Sequence, residues 1–339
     1  MTMPAIGKQN VKTGTMQEKT LTGADKLKAV ARLIRLPNLL IIILTQYLFR
    51  YCILTPFIYS GSPASISTFI DFSLLVLVTL LIAIGGYVIN DYFDIKIDRI
   101  NRPDKLAINR IISPRGTIKL HMMLNTIAIL IGFYLSYRIR TLSFGIIFPF
   151  ISGLLWIYSA KYKRVLIWGN LIVSALSAFV IMIVWLFEFF WIRMSPGIFA
   201  TVIPNLPWVT KIFFAYSLFA FLVSLFREII KDMEDFGGDK PNDCRTLPVV
   251  AGMRISTIIV AVLIIFTIIL LAYGQILLFR LELKLLFWYF MVTVQLPAVY
   301  LFVKLFRAKE KSDYHFLSLM SKFIMITGIL SLEAILISN

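Results

Sequence analysis

Apolar residues recur along this chain in runs of about twenty, separated by shorter polar stretches that carry most of the charge. The runs lie near 37–59, 72–90, 120–137, 142–160, 166–190, 211–230, 255–279, 284–305 and 316–337. A helix needs roughly 20 apolar residues to cross a hydrocarbon core. The pattern therefore predicts an all-α integral membrane protein of about nine transmembrane helices. The segment 191–210 holds Pro196, Pro204 and Pro207 and reads as an irregular connection or a short interfacial element.

Composition agrees. Of 339 residues, 59% are hydrophobic and 15% charged, with a mean hydropathy of +0.85. A soluble domain runs near 45–50% apolar and about 25% charged, so an ordinary soluble enzyme is excluded. The 34 Lys and Arg against 18 Asp and Glu leave +16, which in a soluble chain would suggest nucleic acid. In a membrane protein it reflects basic cytoplasmic segments, and no nucleic-acid partner is expected. With the N-terminus inside, 27 of the 34 basic residues fall on the cytoplasmic segments or in the cytoplasmic halves of the spans beside them. Only Arg50, Arg138, Arg140, Arg193, Lys211, Arg280 and Lys284 fall elsewhere. This predicts a multi-pass protein of the cell membrane, with residues 1–35 as a mobile cytoplasmic tail and 36–339 as the transmembrane domain. Residues 1–30 contain no apolar run of the kind a signal peptide has. Cys52 and Cys244 form no disulfide framework and no metal-ligand spacing. His121 and His315 fall at span starts and are assigned to the interface.

The acidic residues are gathered differently. Ten of the eighteen follow span two or span six. After span two the chain reads Asn90-Asp91-Tyr92-Phe93-Asp94-Ile95-Lys96-Ile97-Asp98, and after span six Asp232-Met233-Glu234-Asp235-Phe236-Gly237-Gly238-Asp239. Both are Asp-x-x-Asp-x-x-x-Asp. At about 100° per residue, positions i, i+3 and i+7 share a strip about 60° wide on a helix. One acidic strip at a helix exit reads as solvated surface, although like charges at this spacing repel. A second copy 141 positions later calls for a ligand. Two facing strips would make a cage for a hard divalent cation, with Mg²⁺ taking oxygen ligands from Asp91, Asp94, Asp98, Asp232, Asp235 and Asp239. Gly237-Gly238 is expected to break the helix and leave Asp239 a less direct ligand.

Carboxylate-bound Mg²⁺ accepts diphosphate oxygens, and nearby cations complete the neutralisation. Candidates are Arg35, Arg102, Lys161, Lys163, Arg164, Arg227 and Lys231. A diphosphate site at the mouth of an apolar bundle suits a polyprenyl diphosphate, whose ionisation leaves an allylic cation that must be shielded from water. The ring faces of Tyr92, Phe93 and Tyr158 are candidates to stabilise that cation.

The two motifs, their order and their positions after spans two and six resemble the UbiA-type intramembrane prenyltransferases. The resemblance covers nearly the whole chain. It implies nine helices around a central cavity, Mg²⁺ between the aspartate clusters, and prenyl transfer to a lipid-soluble acceptor. By the same comparison Asn90 and Tyr158 join Asp91, Asp94, Asp232 and Asp235 as catalytic residues, and Arg35 with Asn38 matches the basic entrance to span one. Arg227-Glu228 and Lys231-Asp232 through Asp235, Gly238-Asp239, Thr246-Leu247-Pro248, Asn101-Arg102-Pro103-Asp104, Lys163-Arg164 and Gly169-Asn170 are similar to the branch that includes digeranylgeranylglyceryl phosphate synthases. That branch implies geranylgeranyl transfer to geranylgeranylglyceryl phosphate in ether lipid synthesis. This chain departs from it at Lys105-Leu106-Ala107-Ile108-Asn109-Arg110, in a loop near the acceptor entrance.

Two alternatives remain open at this level. One is the same chemistry on an aromatic acceptor in quinone biosynthesis. The other, from a different class, is a membrane transporter, which would place its ionisable residues near the bilayer midplane on broken helices. No obligate protein partner is evident from the sequence.

Overall fold

The computed structural model describes residues 23–58, 66–101, 112–242 and 244–338. These residues form helices α1 (Gly23–Leu33), α2 (Leu36–Leu48), α3 (Thr55–Ile58), α4 (Phe69–Asn101), α5 (Pro114–Arg138), α6 (Leu142–Ala160), α7 (Trp168–Arg193), α8 (Pro196–Val202), α9 (Leu206–Asp239), α10 (Leu247–Arg280), α11 (Lys284–Phe290), α12 (Leu296–Leu305) and α13 (Lys311–Ser338). Among the described residues nine segments are long and apolar enough to cross a membrane, in the expected order. The first comprises α2 with α3 and the eighth α11 with α12. The chain is an integral membrane protein of helical architecture.

The two composite spans have a shared cause. π-helical turns at Phe49–Leu54 and Met291–Gln295 join their halves, and each is followed at once by a helix with a proline in its first turn, Pro56 and Pro297. A proline donates no N–H and its ring crowds the carbonyl four residues back, here that of Cys52 or Thr293. Widening the turn there lets the span continue.

Six helices, α2, α4, α6, α7, α9 and α13, each pack on the next and close into a ring around one cavity. Helix α5 covers α4 and α6 from outside, while α10, α11 and α12 cover α9 and α13. Separate apolar clusters consolidate the walls, one joining α4 to α7 around Phe144, Phe148 and Phe187, another joining α9 to α13 around Phe226 and Ile230.

Several boundaries differ from the hydropathy reading. Helices α4 and α9 have 33 and 34 residues, about 50 Å at 1.5 Å per residue, against roughly 30 Å of hydrocarbon. Each therefore runs past its apolar segment and carries an aspartate motif on its projecting end. Gly237 and Gly238 do not break α9, which continues to Asp239. A glycine costs a helix only about 1 kcal/mol. Packing around buried Met233 and Gly238, and the bond from the Cys244 amide to the Asp239 carbonyl (3.2 Å), hold the last turn. Helix α10 starts eight residues before the hydropathy run, with a bend at Gly252, whose φ of 84° favours glycine.

Residues 1–22 lie outside the described part of the expected tail. Its remainder forms α1, with Leu33 buried beside Val88 of α4. His121 does not lie at the interface. Ser113 caps α5 by accepting the Gly116 amide, so the span begins at Pro114 and His121 lies two turns inside it. There its Nδ1 meets the Gly85 carbonyl at 2.8 Å and its ring packs 5.2 Å from Trp156. His315 is exposed and pairs with Glu234 (3.0 Å).

Candidate active site

The cavity has a volume of about 890 Å³. Its lining on α4 follows Thr79, Ala83, Gly86, Tyr87, Asn90, Asp91 and Asp94, and on α9 Ala220, Ser224, Arg227, Glu228, Lys231, Asp232, Asp235 and Asp239. These steps of three and four residues keep one helix face turned inward. The aspartate rows are thus the polar ends of two stripes whose lower parts are apolar or small. Asp91, Asp94, Asp232, Asp235 and Asp239 all border the same space. The Asp98 side chain and Arg102 lie outside the described residues.

Cations hold the first row. Arg35 donates to Asp91 at 3.2 Å and covers the Tyr87 ring at 4.7 Å. Its backbone is left-handed (φ 51°), a conformation uncommon outside glycine, and this sharp break between α1 and α2 turns the guanidinium inward. Lys163 donates to Asp94, which also accepts from Asn90 Nδ2 (2.9 Å). Burial opposes the charge on Lys163, but Asp94 and then Tyr158 outweigh it and hold the ammonium above the ordinary lysine range. Lys163 is therefore charged at neutral pH.

The second row is organised by residues the motif does not contain. Asn170, near the start of α7, donates to Asp232 at 2.8 Å. Glu228 accepts from Arg227 (2.6 Å) and faces Lys231 (3.9 Å). Asp239 accepts from Thr246 at 3.4 Å. Arg164 ties the α6–α7 turn to the end of α4 through the Phe93 carbonyl (2.9 Å), and the Arg164 carbonyl accepts from the Arg245 amide (3.0 Å).

That turn depends on Gly169. A Cβ there would meet the Tyr162 carbonyl oxygen at 3.0 Å and Lys163 Cα at 3.1 Å, so Gly169→Ala must push the segment that carries Lys163 and Arg164. A displacement of about 1 Å can cost 10²-fold in rate. Gly169→Ala is expected to lower kcat about tenfold with little change in melting temperature, measured by turnover and by thermal unfolding in detergent. Unchanged kcat would mean that the turn adapts without moving the cations.

Of the expected aromatic candidates, Tyr158 lines the cavity. Tyr92 and Phe93 are not among the lining residues; they pack edge to face at 5.3 Å, and Phe93 meets Trp156 at 5.9 Å. Tyr87, three residues before Asn90 on the same stripe, presents a ring to the cavity instead. Lys161 is exposed and lies over the Tyr162 ring. Cys244 lines the cavity, but burial pushes its thiol up, away from the reactive thiolate.

The carboxylates do not form a closed cage. Among the described residues no three His, Cys, Asp or Glu side chains converge on one metal position. Mg²⁺ does not require that, since it keeps several waters and commonly binds one or two carboxylates together with substrate phosphates. The donors present fit such a site: hard carboxylate oxygens in both rows, with Asn90 Oδ1 buried and unpartnered beside Asp94.

Digeranylgeranylglyceryl phosphate synthase of Methanosphaera stadtmanae is 34% identical over 192 residues, 56% of this chain and 62% of that one. The chain spans about three fifths of the length of the curated relatives it matches. The structure reported for digeranylgeranylglyceryl phosphate synthase in membranes superposes with a TM-score of 0.61 at 23% identity, covering 92% of this chain and 99% of that one. A UbiA homologue from Archaeoglobus fulgidus bound to DMAPP and Mg²⁺ has a TM-score of 0.51 at 16% identity, covering 89% and 98%. Both share the fold described above. The UbiA prenyltransferase family model matches residues 51–324, and the chain belongs to that family.

Proposed function

We propose that the protein moves a prenyl group from a polyprenyl diphosphate to a lipid-soluble acceptor at a site open to the cytoplasm. The donor is geranylgeranyl diphosphate, the acceptor geranylgeranylglyceryl phosphate and the product an ether lipid. One observation carries the reading: two aspartate rows, each with its own cations, face each other at the mouth of one apolar cavity. The names of the curated relatives support the acceptor, and the excess of basic residues at this end of the bundle supports the orientation.

The division of labour follows from the geometry. Mg²⁺ held by Asp91, Asp94, Asp232 and Asp235 would neutralise diphosphate oxygens, as its presence in the Archaeoglobus fulgidus homologue suggests. Arg35 and Lys163 sit on Asp91 and Asp94 and turn to the phosphate oxygens when the diphosphate enters, stabilising the charge that grows as the C–O bond breaks. Lys231 and Arg227 do the same from α9. The apolar walls below, with Phe148, Ile151 and Leu155 of α6 on one face, hold the isoprenoid and keep water from the allylic cation. The Tyr158 and Tyr87 rings lie between the polar mouth and those walls, where a ring face stabilises positive charge. The acceptor hydroxyl oxygen then forms the new C–O bond and loses its proton.

An acceptor panel tests this. Purified protein with geranylgeranyl diphosphate and Mg²⁺ is expected to label geranylgeranylglyceryl phosphate in preference to 4-hydroxybenzoate, 1,4-dihydroxy-2-naphthoate and homogentisate. The reverse preference would move the assignment to an aromatic acceptor.

A further inference from the structure

One lysine among the cavity's described lining residues is not accounted for by the aspartate rows. Lys322 lies in α13 within a membrane-length segment and lines the cavity. The other cavity lysines, Lys163 and Lys231, both face carboxylates. Lys322 has no carboxylate partner among the described residues; its ammonium donates to the Oδ1 of Asn38, near the start of α2, at 2.9 Å. An ammonium at membrane depth is costly, and such residues mark ligand pathways. Snorkelling into the headgroup layer does not explain it, because the side chain is directed across the ring to α2 and not along the outside of α13.

Its surroundings specify a ligand. With Oδ1 taken by Lys322, Asn38 turns its amide N–H groups to donate. Ammonium and amide together form a donor set for a compact anion. Directly below, Ile41 on α2 and Met325 and Ile329 on α13 continue the same inward faces at steps of three and four. A polar head against the Lys322 ammonium and the Asn38 amide, with an apolar groove beneath it, matches a lipid that ends in a phosphate monoester.

We infer that Lys322 and Asn38 form a second anion subsite between α2 and α13 that binds the phosphate monoester of the lipid acceptor, apart from the diphosphate held at the aspartate rows. The subsite deepens the proposed function, and its turnover test rests on that reading; its binding test does not.

In the binding test the full chain in detergent is titrated with lysophosphatidic acid, a single-chain glyceryl phosphate. Lys322→Met and Asn38→Leu, on different helices, are each expected to weaken binding about tenfold or more, as loss of a charge-assisted contact implies. Lys322→Arg is expected to restore most of it. Phosphatidylglycerol, a diester, and inorganic phosphate should compete poorly. Wild-type affinity in both variants overturns the subsite. Effective competition by inorganic phosphate reassigns it to a free anion, and effective competition by phosphatidylglycerol reassigns it to bulk lipid. In turnover the KM for geranylgeranylglyceryl phosphate should rise by a similar factor in Lys322→Met, with the KM for geranylgeranyl diphosphate unchanged. A parallel rise in both places Lys322 in the donor site and overturns the inference. If the wild type prenylates only aromatic acceptors, the proposed function fails while the titration still decides the subsite.

Discussion

Asp91→Ala and Asp232→Ala are each expected to reduce prenyl transfer by at least about 10²–10³-fold at saturating Mg²⁺, the scale on which single preorganised electrostatic groups act. Asp91 anchors Arg35 (3.2 Å) and Asp232 anchors Asn170 (2.8 Å), so each truncation removes a proposed Mg²⁺ ligand and releases the group that its carboxylate positioned. Both residues lie on helix ends that project beyond the apolar segments, so folding in detergent, followed by size exclusion and thermal unfolding, should be retained. Glu234→Ala is the internal control. Glu234 stands between Asp232 and Asp235 in sequence but turns away from the cavity to His315 (3.0 Å), and its loss should leave turnover within about twofold, as for substitutions outside the reacting site. Full activity in Asp91→Ala or Asp232→Ala would remove the aspartate rows from the reaction. Equal losses in Asp232→Ala and Glu234→Ala would point to general damage to α9.

How far the sequence foretold this site depends on what each residue relies on. Asp91, Asp94, Asp232, Asp235 and Asp239 border one cavity because a period of three and four residues on a helix is a local property, and a pattern reveals it. The spans were legible for a similar reason, since hydrocarbon demands an apolar stretch of a set length. Their ends were not, because past the hydrocarbon a helix can continue without any hydropathic signal, as α4 and α9 do through both motifs. Asn170 and Lys322 act through partners on which no local rule bears. Lys322 meets Asn38 across 284 positions only because α13 closes the ring against α2. Asn170 was visible as part of the Gly169-Asn170 pair, but its bond to Asp232 depends on α7 packing against α9. The acceptor is the least legible feature, since the chain departs from the branch it is similar to at Lys105-Leu106-Ala107-Ile108-Asn109-Arg110.

Glu188→Ala and Arg50→Ala are expected to destabilise the fold strongly without altering turnover per folded molecule. Arg50, one of the few basic residues outside the cytoplasmic segments, meets Glu188 across 138 positions at the end of the bundle remote from the aspartates. Glu188 is fully buried and Arg50 nearly so, with N–O at 3.1 Å. The Ser67 amide donates to the other Glu188 oxygen (2.9 Å), Arg50 Nη2 donates to the Ser67 carbonyl (2.6 Å), and the guanidinium covers the Phe72 ring at 4.4 Å. This network joins α2, α4 and α7. Removing one member leaves the other charge buried and uncompensated, which costs roughly 3–5 kcal/mol. Replacing both with apolar residues of similar volume, as in Arg50→Met with Glu188→Met, removes both desolvation penalties and is often close to neutral. Thermal unfolding in detergent should therefore rank the single variants well below the double variant and the wild type. If the double variant is as unstable as the singles, the pair contributes net attraction beyond mutual compensation. If Glu188→Ala unfolds within about 1 kcal/mol of wild type, on the scale of an exposed pair, the pair is solvated and does not close this end of the bundle.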